Sequence, residues 1–239
     1  MSKVKNFILK FLGPLILAES KIVSNERASA HFQFITVKGK SLKNITWIPG
    51  QKIQIKVQGD EMRSYTPSSW NSVTGEVQTL IYMHGKGPGA LWARDVTPNT
   101  KITLLGPRGS LSIDSEIRHV IFFGDETTYG LAHALKKYTE NKTYDFLFEA
   151  NDIKESSFIL EKFELKDSSL FKLDELDKIA LEINKAFLQI PGAQIVLSGK
   201  QQSIVALREK LYAFGVPREA IMKKVYWGWK DDPNGKLKF

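Results

Sequence analysis

The chain has 239 residues, 42% hydrophobic and 25% charged, which is room for one large or two modest globular domains and gives no reason to expect disorder. Its formal charge of +8 favours anionic partners, yet no RNA-recognition signature, zinc-finger spacing or basic–aromatic repeat points to nucleic acid. The absence of cysteine excludes a disulfide framework, a thiolate nucleophile and a cysteine-ligated iron–sulfur cluster, and it fits a cytoplasmic location.

At the start, Lys3 and Lys5 precede an apolar stretch from Phe7 to Ala18. Lys10 interrupts it and Gly13-Pro14 breaks it. The stretch therefore reads as an amphipathic helix over about Val4 to Leu12, not as a signal peptide or a membrane span. Residues 15 to 113 then read as short strands between turns. Leu15-Ile16-Leu17 with Lys21-Ile22-Val23 is the first strand, and the alternating His31 to Val37 is the second. Further strands are expected at Lys52 to Val57, Arg63 to Thr66, Glu76 to Met83 and Lys101 to Leu105, with one helix from about Gly89 to Val96. Turn signals stand at Lys38 to Ser41, Pro49-Gly50 and Gly106-Pro107-Arg108-Gly109. This pattern suggests a closed antiparallel, Greek-key-like barrel.

Beyond residue 114 the pattern changes. His119-Val120-Ile121-Phe122-Phe123 is a continuous apolar run, as in a strand buried on both faces. A helix from about Tyr129 to Tyr138 follows, then a strand at Tyr144 to Glu149. A helix at about Leu173 to Leu188, a strand at Gln194 to Ser198, a helix at Ser203 to Phe214 stopped by Gly215, and a strand at Lys224 to Trp227 complete the series. Strand–helix alternation implies a mostly parallel α/β sheet. Two domains are expected, residues 1–113 and 114–239. The segment Asn151 to Leu170 gives no readable element.

Arg63-Ser64-Tyr65-Thr66 carries the most chemistry. On a strand, Arg63 and Tyr65 share one face and Ser64 and Thr66 the other. Arg63 offers a planar fork for phosphate, Tyr65 a ring for stacking, and Thr66 a hydroxyl beside Pro67. Alone, these residues equally describe a surface strand with a packed tyrosine. The turn His84-Gly85-Lys86-Gly87-Pro88 and the helix start through Ala90, Leu91 and Trp92 suit a pyrophosphate, because free N–H groups and close backbone approach coincide there. The four histidines are scattered and form no metal motif, so no protein-ligated metal is expected.

Five pieces in this order resemble the siderophore-interacting proteins, or ferric-siderophore reductases, of the ferredoxin–NADP reductase superfamily. They are Arg63 to Thr66, His84 to Pro88 with Trp92-Ala93, Gly106 to Gly109, Gly124-Asp125-Glu126-Thr127 and Tyr226-Trp227. The resemblance implies an FAD-binding barrel followed by an NAD(P)H-binding α/β domain. It implies that Arg63 contacts the FAD pyrophosphate, that Tyr65 stacks on the isoalloxazine with Ser64 beside it, and that Thr66 lies near the flavin N5 as the catalytic position. By the same resemblance His84 to Ala90 hold phosphates and ribose, and Gly124 to Thr127 with Ser198 and Gly199 line the nucleotide crevice at the strands' carboxyl ends. Trp227 approaches the flavin. The implied reaction takes electrons from NADPH or NADH through FAD to a ferric siderophore or another anionic iron chelate, releasing iron(II). A general ferric or flavin reductase, and a flavin-bearing siderophore-binding module reduced by ferredoxin, are the alternatives.

Three departures from the family pattern stand out. Ala90 replaces a small hydroxyl residue in the pyrophosphate turn, leaving that role to backbone N–H groups. Gly228 and Trp229 stand where arginines usually follow Tyr-Trp, so Lys52, Arg108 and Lys230 are the remaining candidates for substrate. Lys200 stands where an acidic residue is common, which leans towards the 2′-phosphate of NADPH.

Overall fold

The computed structural model describes residues 17–59, 61–85, 87–109, 111 and 113–228. The helix expected at Val4 to Leu12, the strand start at Leu15-Ile16, and the site candidates Lys86 and Lys230, with Trp229, lie outside the described residues. The chain divides into two compact units, residues 1–112 and 113–239.

The first unit is a seven-stranded sheet of β1 (Leu17–Arg27), β2 (Phe32–Lys38), β3 (Lys52–Gln58), β4 (Glu61–Tyr65), β5 (Ser69–Asn71), β6 (Glu76–Tyr82) and β7 (Lys101–Arg108). Its order is β4-β3-β7-β1-β2-β6-β5, and the pairings are antiparallel. The sheet curls around Ile22, Ile35, Val37, Ile53, Ile55, Val77 and Leu104, all fully buried. Each such side chain contributes about 2 kcal/mol by leaving water. The sheet is barrel-like but not closed, which corrects the expected closed barrel. Its edges β4 and β5 are consecutive in the chain, and Pro67 between them has no N–H to extend a ladder. The turn expected at Gly106 to Arg108 is also corrected. These residues continue β7, with Arg108 opposite Lys52. One helix, α1 (Pro88–Asp95), packs Ala93 into the core.

The second unit is a five-stranded, all-parallel sheet. Its strands are β8 (His119–Gly124), β9 (Thr143–Ala150), β10 (Ser169–Lys172), β11 (Gln194–Lys200) and β12 (Ile221–Trp227), in the order β10-β9-β8-β11-β12. The helices are α2 (Tyr129–Tyr138), α3 (Ile153–Lys162), α4 (Leu176–Gln189) and α5 (Gln201–Ala213). Central β8 is buried on both faces. Ile121 and Phe123 meet Ile179 and Ile183 of α4 and Ile204 and Leu207 of α5, while Phe122 meets Phe146 and Phe148 of β9. A helix C-terminus closes as the sequence signals: the N–H of Gly215 (φ +86°) bonds the Tyr212 carbonyl, and that of Val216 bonds Leu211.

The unreadable segment from Asn151 holds two elements. Asp152 caps α3, accepting from the N–H groups of Lys154 (2.9 Å) and Glu155 (3.0 Å). Ser156, Ile159 and Leu160 form its buried face. The short edge strand β10 then pairs with β9. Among the described residues no helix is long and apolar enough to cross a membrane.

Candidate functional site

In the first unit the site forms where β4 passes the start of α1. Gly87 is the extended N-cap of α1, and no side chain caps it. Pro88 has no N–H. The N–H groups of Ala90 and Leu91 return to the Gly87 carbonyl at 3.0 and 3.1 Å. The Gly89 N–H makes no described hydrogen bond and stands at the positive end of the helix dipole. The far end of α1 is tied to β1 by Asn25, whose Nδ2 donates to the carbonyls of Ala93 (2.8 Å) and Val96 (2.7 Å).

Arg63 and Tyr65 pair with Ile55 and Ile53 across β3, so they share the face of the core. The Tyr65 ring stacks on Trp92 of α1, with centroids 5.9 Å apart and planes 25° from parallel. Its Oη donates to the Gly89 carbonyl at 3.4 Å. Burial raises the Tyr65 pKa well above the ordinary phenol value, and the nearby charge of Arg63 offsets only part of this, so the hydroxyl stays a donor. Arg63 Nη2 pairs with Glu61 at 2.8 Å, and Nη1 donates to the Met62 carbonyl at 3.1 Å. A Cβ on Gly89 would lie 2.9 Å from Tyr65 Oη and 3.3 Å from Arg63 Cγ. A larger residue there would have to push these two side chains aside. Arg63, Tyr65, Gly89 and Trp92 thus converge, and an arginine beside an uncapped helix start fits a pyrophosphate.

Ser64 lies on the opposite face. Gln54 Nε2 donates to Ser64 Oγ at 3.3 Å, and Arg108 Nη2 donates to Gln54 Oε1. Lys52 sits opposite Arg108. Burial, and then the charge of Arg108, hold the Lys52 ammonium below its usual pKa. Thr66 follows the end of β4, and His84, Gly85 and Gly87 form an exposed turn leading to Ala90 and Leu91.

In the second unit the expected residues meet at the carboxyl end of the parallel sheet. Asp125 is buried, and Oδ1 accepts from the N–H of Thr127 (2.9 Å) and from its hydroxyl. Oδ2 accepts from the Lys200 N–H and from Trp227 Nε1, both at 2.8 Å. Gly199 has φ +101°, and a Cβ there would strike the Asp125 carboxylate. Glu126, also buried, accepts from the backbone N–H (2.6 Å) and Nδ2 (3.0 Å) of Asn151. Ser198 Oγ donates to the Lys224 carbonyl at 3.0 Å. Gly124 ends β8 directly before this cluster. The acidic and hydroxyl side chains expected to face a nucleotide are therefore bonded within the protein, tying β8 to β9, β11 and β12.

Glu149 was not among the expected residues. It lies in β9, is 1% exposed, and its Oε1 has no hydrogen-bond partner among the described residues. Burial pushes its pKa up to about 7; a bond from Ser203 opposes this, while the charges of Asp125 and Glu126 add to it. Its signal in the sequence is one acid closing the apolar run Phe146-Leu147-Phe148. An orphaned carboxyl oxygen at the carboxyl end of a parallel sheet fits a ligand donor group there.

A barrel-like antiparallel unit with an arginine beside an uncapped helix start, followed by a parallel α/β unit, is a two-unit fold shared with solved siderophore-interacting proteins. Residues 56–111 match the siderophore-interacting FAD-binding domain, and that stretch contains Arg63, Tyr65 and the whole of α1. The resemblance read from the sequence motifs holds. The chain is 23% identical over 150 residues to the NADPH-dependent ferric-chelate reductase of Escherichia coli K12. That match takes in 53% of this chain and spans 59% of the length of that relative. Two solved structures share the fold. The siderophore-interacting protein from Acinetobacter baumannii has a TM-score of 0.73 at 20% identity, over 92% of this chain and 94% of that one. A siderophore utilization protein from T. fusca has a TM-score of 0.72 at 18% identity, over 94% and 97%.

Proposed function

We propose that the protein is an FAD-dependent reductase that takes electrons from NADPH or NADH and delivers them to ferric iron held in a siderophore or similar anionic chelate, with release of iron(II). The observation that carries this reading is the convergence of Arg63, Tyr65 and Gly89 at the uncapped start of α1, within the stretch that matches an FAD-binding domain. When bound, the flavin supplies the step from two-electron donor to one-electron acceptor. The chain's own residues bind and orient. Arg63 neutralises pyrophosphate charge, the Gly89 N–H adds a donor, and the Tyr65–Trp92 stack forms an aromatic wall. Lys52 and Arg108, side by side on β3 and β7, give a positive surface suited to an anionic chelate. No side chain is needed as an acid or base, and Thr66 serves by position at the end of β4.

In the second unit, the carboxyl end of the sheet is the place for the pyridine nucleotide, with Glu149 Oε1 as an unfilled acceptor and Lys200 as a positive neighbour. The commitment of Asp125, Glu126 and Ser198 to internal bonds favours a second reading, a flavin-bearing module reduced by ferredoxin. One experiment separates them. Flavin-loaded protein is mixed anaerobically with NADPH, NADH or reduced ferredoxin, then with ferric citrate and ferric siderophores, while flavin bleaching and iron(II) release are followed. Bleaching by either nucleotide and iron(II) release support the reductase. Bleaching by ferredoxin alone supports the second reading, and a protein that takes up no FAD overturns both.

A further inference from the structure

Three strands of the first unit place lysines side by side. Lys21 in β1 is the register partner of Lys38 in β2 and also of Lys101 in β7. Like charges directly opposite each other on paired strands repel, so this row costs stability. The turn after β2 adds Lys40 and Lys43, and all five lysines line one recess of about 650 Å³, with Glu19 as its acidic member. Lys38 is paired with Glu76 at 2.7 Å, whereas Lys21, Lys40, Lys43 and Lys101 form no ion pair with a described carboxylate. Ser20, also in the lining, is 6% exposed, and its Oγ meets no described hydrogen-bond partner.

Neither Arg63 nor Gly89 lines the recess, which lies at Lys21 of β1 and Lys38 of β2. Its members Lys101 and Ile102 also line a neighbouring hollow with Pro88, Leu91 and Trp92 of α1, so titration with and without FAD decides whether the two sites are independent. The size of the recess falls within the ~300–1,000 Å³ of small-molecule sites, which favours a compact ligand over a macromolecule. Its cations are all lysines, and four of them form no ion pair with a described carboxylate. Separate ammonium groups on flexible stems suit tetrahedral, multiply charged phosphate.

We propose that this lysine-lined recess is a binding site for a polyphosphate group, carried by a free phosphorylated small molecule or by a lipid headgroup. Bound phosphate would relieve the repulsion along the row. The inference does not rest on the reductase reading.

The test is calorimetric titration of the whole protein with inorganic tripolyphosphate, with and without added FAD, at low and moderate salt. The expected result is one site that FAD neither fills nor blocks and that weakens as salt rises. The variant Lys40→Glu/Lys43→Glu should lose affinity about tenfold or more, while Lys154→Glu/Lys166→Glu, with the same charge change in the second unit, should bind as the parent does. Lys21→Glu is the second probe. It turns repulsion into attraction along the row, so the melting temperature should hold or rise while tripolyphosphate affinity falls. Sedimentation with phosphatidylinositol-bisphosphate vesicles, against phosphatidylcholine vesicles, separates the sources: binding to the former supports a headgroup, and tripolyphosphate binding alone supports a free ligand. Absence of binding in both arms, or equal loss in the control variant, overturns the proposal.

Discussion

The carboxylate of Asp125 holds the indole of Trp227 at 2.8 Å across 102 residues of sequence, joining the end of β8 to the end of β12. The same oxygen accepts from the Lys200 N–H, and the Lys200 ammonium lies 5.5 Å from the centre of the Trp227 ring. One buried acid thus sets the conformation at the ends of three strands. Burial pushes its pKa up to about 6, with hydrogen bonds from Thr127 and Trp227 opposing the rise.

Asp125→Ala leaves four donor groups without their acceptor, each costing about 1–3 kcal/mol when buried. The second unit should melt several degrees lower, and Trp227 emission should shift to the red. Trp227→Phe removes one donor and should cost far less. Thermal melts with tryptophan fluorescence check both; equal melting of Asp125→Ala and the parent would refute the latch.

Glu149 should make stability depend on pH. Its folded pKa, about 7, lies above the ordinary carboxylate value, so the folded state holds its proton more tightly than the unfolded state does. At pH 4 the group is protonated in both states and costs nothing. The stability is lost as pH rises from the ordinary carboxylate value to about 7, where the buried charge has cost roughly 3 kcal/mol. Asp125 acts in the same direction between about pH 4 and its own value near 6. Glu149→Gln should therefore stabilise the protein more at pH 8 than at pH 5, measured as the difference in melting temperature from the parent. A difference independent of pH would show that Glu149 does not titrate in this range.

Arg63→Ala should weaken FAD retention about tenfold or more, since a charge-assisted contact to phosphate contributes about 1.5–3 kcal/mol. Flavin absorption after exhaustive dialysis reads this directly, and unchanged occupancy would remove Arg63 from the pyrophosphate site.

Gly89→Val tests the close approach of α1 to β4. A side chain there must displace Tyr65 Oη or the stem of Arg63. FAD affinity should fall while far-UV circular dichroism stays near that of the parent, because the residue lies at a helix start outside the core. Retained affinity would mean that α1 does not contribute its N-terminus to the flavin.

Much of this molecule was determined by sequence alone. The alternation in Lys52 to Val57 and the apolar run Val120 to Phe123 declare one-sided and two-sided burial, because side-chain direction on a strand has a period of two. The order of short motifs from Arg63 to Trp227 signals the barrel-like unit followed by a parallel α/β unit. Local signals failed where an element was short or polar outside: α3 carries its cap at Asp152 and its apolar face at Ile159 and Leu160, but β10 has only four residues. Tertiary structure alone decided what the acids do. Asp125 and Glu126 read in the sequence as residues of a nucleotide crevice or as acids at a helix start, and their oxygens accept from Lys200, Trp227 and Asn151, between 25 and 102 residues away. It also decided that Lys21, Lys38 and Lys101 stand in one row. Hydrogen-bond partners and strand register join residues that are distant in the chain, and no periodicity within a segment encodes them.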